Sequence, residues 1–134
     1  ILKGILDAED ARLAANSGAD ALIVSNHGGR QLDGAPSSIS ALPAIVDAVG
    51  RDIEVWMDGG IRSGQDVLKA RALGARGTLI GRSFLYGLGA YGQAGVTRAL
   101  QIIHKELDVT MAFCGHTSID TVDSGILLPG TYDF

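Results

Sequence analysis

The segment Ala21-Leu22-Ile23-Val24-Ser25-Asn26-His27-Gly28-Gly29-Arg30 carries the most information about the fold of this chain. Its first four residues are apolar, which predicts a short buried strand over Ala21–Ser25. His27 and Arg30 follow on a glycine-containing loop, just beyond the carboxyl end of that strand. Parallel α/β sheets hold their functional side chains at this edge. We therefore expect both residues to lie in a site.

The chemistry of this loop suits a small acid. Histidine can accept a proton near neutral pH, and the fork of an arginine can bind a carboxylate through two parallel hydrogen bonds. The alternative is that His27 is a loop histidine without chemistry. Asp33 either accepts hydrogen bonds from nearby backbone N–H groups, which we favour, or orients Arg30.

The rest of the chain repeats the order of apolar run, loop and helix. Strands are predicted over Ile1–Leu6, Ala21–Ser25, Ile53–Met57 and Gly77–Gly81. Helices are predicted from Asp7 to about Ser17, over Ser40–Val49, over Ser63–Leu73 and, after a glycine-rich turn at Gly87–Gly92, over roughly Gly92–Phe113. The spacing of the strands is typical of βα units, whose strands are parallel.

This pattern predicts an α/β fold built as half of a (β/α)8 barrel. The strands are apolar throughout, as in sheets that are covered on both faces. Four units alone would leave one sheet face and two edges bare, whereas four more would close an eight-stranded barrel. We assign residues 1–114 to the half barrel with its catalytic and phosphate loops, and residues 115–134 to an irregular tail.

Composition excludes several classes of protein. The 134 residues are 46% apolar and 19% charged with a net charge of −4, so no basic stripe for nucleic acid is expected. No apolar run is long enough to span a bilayer. Cys114 is the single cysteine, expected to be a buried small apolar residue, and no metal site is expected. The start at Ile1, which is mid-strand in character and has no initiator Met, is read as that of a fragment of a longer chain.

Two glycine-containing loops predict a phosphate site. Asp58-Gly59-Gly60-Ile61-Arg62-Ser63 precedes one predicted helix, and Ile80-Gly81-Arg82-Ser83 repeats the pattern one unit later. Glycines let backbone N–H groups approach an anion, and we expect the helix after the first loop to add positive partial charge at its N-terminus. Asp58 would repel a phosphate and is better suited to a cofactor hydroxyl. The alternative is turn glycines beside solvated arginines.

These loops, together with Leu2-Lys3-Gly4-Ile5, resemble the FMN-dependent α-hydroxy-acid oxidases and dehydrogenases over essentially the whole chain. That family includes glycolate oxidase, L-lactate dehydrogenase and oxidase, and mandelate dehydrogenase. The resemblance implies strands five to eight of the barrel and FMN as cofactor. It implies His27 as the catalytic base and Arg30 as the ligand of the substrate carboxylate. The cofactor-binding residues that it implies are Lys3 at the flavin, Ser25 near the ribityl chain or the pyrimidine side of the flavin, Asp58 at the ribityl chain, and Gly59, Gly60, Arg62, Gly81 and Arg82 at the phosphate.

The implied reaction converts an L-2-hydroxy acid to the 2-oxo acid. His27 would take a proton either from the hydroxyl, as hydride leaves, or from the α-carbon. The resemblance also implies a homo-tetramer, in the cytoplasm or peripheral on the inner membrane. The isolated chain is expected to be inactive, because the supporting carboxylate, a second arginine and tyrosines belong to the missing amino-terminal half.

Two other functions remain open from the sequence. One is another FMN barrel, such as a flavin-type isopentenyl-diphosphate isomerase, although that chemistry has no substrate carboxylate for Arg30. The other is a non-catalytic module that binds phosphate without chemistry.

Overall fold

A computed structural model describes residues 1–132; residues 133 and 134 of the predicted tail lie outside the described residues. Four strands form one parallel sheet in chain order: Leu2–Ile5 (β1), Ala21–Val24 (β2), Glu54–Asp58 (β3) and Gly77–Leu79 (β4). Helices follow the strands: Ala8–Asn16 (α1), Ser38–Val49 (α2), Gly64–Ala72 (α3) and Arg82–Phe113 (α4). The predicted α/β order and parallel sheet are confirmed.

Local capping explains where the helices begin and end. Asp7 accepts hydrogen bonds from the N–H groups of Glu9 and Asp10 at the start of α1, and Gly18 takes a φ of 87° after its end. Ser37 caps α2, so that helix begins at Ser38, two residues before the predicted start. Each cap satisfies backbone groups that a helix terminus leaves without a partner.

The core lies between one face of the sheet and the helices. Its centre is formed by fully buried side chains of β2, β3 and α2, namely Leu22, Val24, Met57, Leu42 and Ile45. The opposite face carries the register row Lys3, Ile23, Trp56 and Gly77. Ile23 and Trp56 in that row are only half-buried. The described residues therefore cover one face of the sheet, not both.

The helix α4 departs from the prediction. The segment Gly87–Gly92 was expected to be a turn, but the chain is helical from Arg82 and breaks only at Tyr91 and Gly92, where φ is −143° and 57°. Gly87 and Gly95 lie on the two sides of this break with their backbones in contact, and a Cβ at either would overlap the other. The glycines thus permit close packing of two helical segments, which local sequence does not reveal.

The tail packs on α3. Val122 is buried against Leu68 and Ala72, and Arg71 Nε donates to the carbonyl oxygen of Ile119 at 3.0 Å. Cys114 was expected to be buried and is exposed instead, because it lies at the C-terminal cap of α4. None of the helices in residues 1–132 combines the length and apolar character needed to cross a membrane.

Candidate functional site

Lys3, from within β1, contacts two predicted site residues at the carboxyl ends of the next two strands. Lys3 Nζ lies 2.8 Å from Asp58 Oδ2 and donates to Ser25 Oγ at 2.9 Å. Ser25 is fully buried, while the side chains of Lys3 and Asp58 are 39% and 21% exposed. Parallel strands place such residues at one edge, since their carboxyl ends share it. The result is a partly buried, hydrogen-bonded ion pair.

The loop after β2 is held by side-chain hydrogen bonds. Ser25 Oγ accepts from the N–H of His27 at 3.1 Å, and Asn26 Oδ1 accepts from the N–H of Gly28 at 3.0 Å. The N–H of Asn26 donates to Ser38 Oγ at 3.2 Å, which ties the loop to the start of α2. His27 has a φ of 54°, a left-handed conformation that is uncommon outside glycine and is found at functional sites.

A groove of about 790 Å³ runs along this edge of the sheet. Its volume is in the range of small-molecule and cofactor sites. Its lining includes nine of the ten predicted site residues: Lys3, His27, Arg30, Asp58, Gly59, Gly60, Arg62, Gly81 and Arg82. The tenth, Ser25, lies beneath them and binds Lys3. Four of the lining residues are lysine or arginine and one is a carboxylate, so the groove favours anions.

The helix α3, which was expected to assist a phosphate, has its N-terminal N–H groups bonded within the protein. The N–H groups of Arg62 and Ser63 donate to Asp66 Oδ2, each at 3.0 Å, and the N–H of Gly64 donates to Glu106 Oε2 at 2.9 Å. Carboxylates of the protein therefore already occupy the N-terminus of α3. These bonds do not favour the predicted role of α3; Asp66 is local in sequence, whereas Glu106 reaches the helix from α4, far along the chain.

The helix α4 offers the free N-terminus instead. It begins at Arg82 after Gly81, and no side chain of residues 1–132 caps it. Ser83 Oγ donates to the carbonyl oxygen of Ile61 at 3.2 Å, which joins the two glycine-containing loops. A Cβ at Gly60 or Gly81 would meet no atom within 4 Å, so space remains beside both backbones. An uncapped helix N-terminus next to arginines is suited to a phosphate.

One carboxylate oxygen of Asp58 accepts no hydrogen bond from the described residues. Its Oδ2 binds Lys3, but its Oδ1 is buried and has no hydrogen-bond partner within residues 1–132. A buried carboxylate oxygen without a donor is costly in free energy. Asp58 is therefore suited to accept a hydrogen bond from a ligand hydroxyl in the groove.

Sequence reasoning missed the residues that shape the loop. Asn26 and Ser38 were given no role, although Ser38 is only 2% exposed and binds the N–H of Asn26. The position of Ser38 at the start of a helix, two residues after Pro36, could have indicated this role. Asp33 Oδ1 accepts from the N–H of Gly34 at 3.1 Å, which agrees with its expected bracing role.

Known proteins of one kind resemble this chain. A family model described as FMN-dependent dehydrogenase matches residues 1–129. L-lactate dehydrogenase of Caulobacter vibrioides (strain NA1000 / CB15N) is 56% identical over 127 residues, which are 95% of this chain and 33% of that protein. L-lactate dehydrogenase of Pseudomonas syringae pv. syringae (strain B728a) is 56% identical over 128 residues, which are 96% of this chain and 34% of that protein.

Solved structures give the same result. A mandelate oxidase variant with a monooxide FMN adduct superposes with a TM-score of 0.88 at 51% identity, over 90% of this chain and 38% of that one. Mandelate oxidase with benzoyl-formic acid gives a TM-score of 0.88 at 51% identity, over 90% and 36%. The chain spans about a third of the length of the curated relatives it matches. By its family match, its sequence identity and its fold, this chain belongs to the FMN-dependent dehydrogenase family.

Proposed function

We propose that this chain forms strands five to eight of a (β/α)8 barrel that oxidises an L-2-hydroxy acid to the 2-oxo acid with FMN. The observation that carries the proposal is the groove that contains His27 and Arg30 together with Lys3, Asp58 and Arg82. The relatives' names, L-lactate dehydrogenase and mandelate oxidase, support a 2-hydroxy acid as substrate. The bare sheet face with Ile23 and Trp56 supports closure by further βα units.

The groove fits FMN by the chemistry of its donors. The phosphate matches the N-terminus of α4 with Arg62 and Arg82, where the backbones of Gly60 and Gly81 leave space. The ribityl hydroxyls match the unpartnered Oδ1 of Asp58. These groups line one continuous groove, so a single elongated ligand can satisfy all of them.

Lys3 is assigned to the flavin end of the cofactor. When bound, FMN supplies a two-electron acceptor. The ammonium of Lys3, held by Asp58 and by buried Ser25, keeps a fixed positive charge near the substrate end of the groove. A preorganised charge stabilises negative charge that develops during reaction without reorganising at that moment.

His27 and Arg30 act on the substrate. Arg30 is exposed in the groove and binds the carboxylate, which fixes the orientation of the hydroxy acid. His27 accepts the proton, either from the substrate hydroxyl or from its α-carbon, as a general base. Its main chain is fixed by Ser25 and by the loop at Asn26, so the imidazole remains at the groove.

The test is an anaerobic titration of the full-length parent protein with L-lactate, glycolate and mandelate. We expect a flavin absorption band near ~450 nm that bleaches with one of these acids. His27→Gln and Arg30→Met should retain the band and lose bleaching. His104→Gln and Arg51→Met, which alter exposed residues outside the groove, are the matched controls.

The outcomes separate the alternatives. A flavin band that persists with all three acids would contradict hydroxy-acid oxidation and favour a diphosphate-isomerase type of barrel. A protein without flavin would favour a phosphate-binding module. Unchanged bleaching in both site variants would overturn the roles of His27 and Arg30.

A further inference from the structure

We propose that Gly4 positions the imidazole of His27, so that the bulge in β1 sets the location of the proton acceptor. The inference rests on the role of His27 proposed above. The pairing of β1 with β2 shifts register between Lys3 and Ile5, which makes Gly4 an extra residue in the strand. Bulges of this kind re-aim side chains beside active sites.

The imidazole of His27 lies where a side chain of residue 4 would be. A Cβ built on Gly4 falls 2.5 Å from His27 Nε2 and 3.3 Å from Cε1. Both distances are shorter than an ordinary van der Waals contact. The absence of a side chain at Gly4 is therefore required for the observed position of the ring.

A side chain at residue 4 would move the ring rather than the loop. The backbone of His27 is held by Ser25 Oγ at 3.1 Å, and the next residue is held by Asn26. The imidazole, in contrast, has no hydrogen bond to another side chain in the part of the chain that the structure describes. Rotation of the ring is the readiest way to relieve the overlap, and it would displace Nε2.

Backbone strain is a separate consequence of any substitution at Gly4, since its φ is 103°. Gly18 provides a matched control for that strain. It has a φ of 87°, is exposed between α1 and β2, and a Cβ there would meet no atom within 4 Å. Gly4→Ala and Gly18→Ala thus both place a side chain at a positive φ, and only Gly4→Ala contacts His27.

The first experiment compares the two variants in the full-length holoenzyme. For Gly4→Ala we expect kcat with the best hydroxy acid to fall by about 10²-fold while KM changes less than about twofold, since the acceptor is misplaced and the carboxylate ligand is not. The rate of His27 modification by diethyl pyrocarbonate, followed by peptide mass, should change together with kcat. Gly18→Ala should change neither quantity, and flavin content should stay equal in both variants.

The second experiment needs no turnover. In a double-mutant cycle, Gly4→Ala should lower the melting temperature less when His27 is also changed to Ala, because the overlapping ring is gone and only the backbone strain remains. Unchanged kcat and unchanged His27 modification in folded Gly4→Ala would overturn the proposal. If Gly4→Ala alone does not fold, folding of the double variant supports the contact. Its failure to fold would make backbone strain at residue 4 sufficient to explain the loss, and would count against the contact. If the double-mutant cycle shows coupling between Gly4 and His27 but the full-length parent oxidises no hydroxy acid, the contact is supported and the proposed function is rejected.

Discussion

Lys3 and Asp58 form an ion pair that joins β1 to β3 across the end of β2, with Lys3 Nζ 2.8 Å from Asp58 Oδ2. The buried hydroxyl of Ser25, which ends the intervening strand, binds the same Nζ at 2.9 Å. The pair therefore links three strands at the edge where the groove opens. It places a cation next to a carboxylate whose other oxygen, Oδ1, has no hydrogen-bond partner within residues 1–132.

Removing the charge of Lys3 alone should destabilise the protein more than removing the charges of Lys3 and Asp58 together. Lys3→Met leaves Asp58 partly buried without its cation, and we expect a loss of about 1–3 kcal/mol in the free energy of unfolding. The double variant Lys3→Met/Asp58→Asn should recover part of this loss. Urea unfolding of the full-length parent measures both. Lys105→Met, which breaks the exposed pair with Asp108, is the control and should cost less than about 0.5 kcal/mol.

Ser25→Ala should lower turnover while flavin binding persists. The substitution removes the acceptor for both the N–H of His27 and the ammonium of Lys3. We expect kcat to fall by roughly tenfold or more, because two groups at the groove lose their fixed positions. Ser17→Ala, at an exposed serine bonded only within α1, should leave kcat unchanged. Equal kcat for Ser25→Ala and the parent would contradict this role.

Arg82 should contribute to binding of the cofactor phosphate. Arg82→Met removes a cation beside the uncapped N-terminus of α4, and we expect the Kd of the apoprotein for FMN to rise by about tenfold or more. Flavin fluorescence during titration of the full-length apoprotein measures the Kd. Riboflavin, which lacks the phosphate, should bind the variant and the parent equally. A difference for riboflavin would show that Arg82 acts elsewhere.

Glu106 should affect stability and not FMN affinity. Its carboxylate accepts from the N–H of Gly64 at the N-terminus of α3, which is already satisfied within the protein. Glu106→Gln should lower the free energy of unfolding by about 0.5–2 kcal/mol through the weakened cap. The Kd for FMN should stay within about twofold of the parent value. A large rise in that Kd would reinstate α3 as a phosphate-binding helix.

The 134-residue chain by itself should show no turnover of L-2-hydroxy acids. The side chain of Arg30 is exposed, so residues 1–132 leave this end of the groove open to water. Dye-linked oxidation of L-lactate by the purified chain with added FMN is the measurement. Turnover above that of free FMN would contradict the expectation.

Local patterns were sufficient to predict most of the fold. Apolar runs such as Ala21–Val24, followed by polar caps and helix-ending glycines such as Gly18, locate the alternating strands and helices. Lys3, which lies within β1, was implied only by the family resemblance. The motifs predicted the other eight groove residues, since these lie at or just after the carboxyl ends of strands that share an edge. Each of these inferences depends only on neighbours in the sequence and on the regular geometry of parallel sheets.

Contacts between distant residues could not be predicted in this way. Gly87 packs against Gly95 across the break in α4, so this glycine serves a helix contact. The sequence prediction assigned this helical segment to a turn. The carboxylate of Glu106 reaches α3 from α4 and changes which helix is free to bind an anion. The overlap of Gly4 with His27 likewise depends on the bulge, which no local pattern revealed.

Trp56 lies in the row of side chains on the bare face of the sheet, so its fluorescence depends on what covers that face. It is the only tryptophan of the 134 residues, and its indole is half-buried with Nε1 donating to Glu54 Oε2 at 2.9 Å. Indole emission shifts to shorter wavelength when its surroundings lose water. Emission from this chain would therefore follow, in real time and without a label, the arrival of any structure that covers the open side of the sheet.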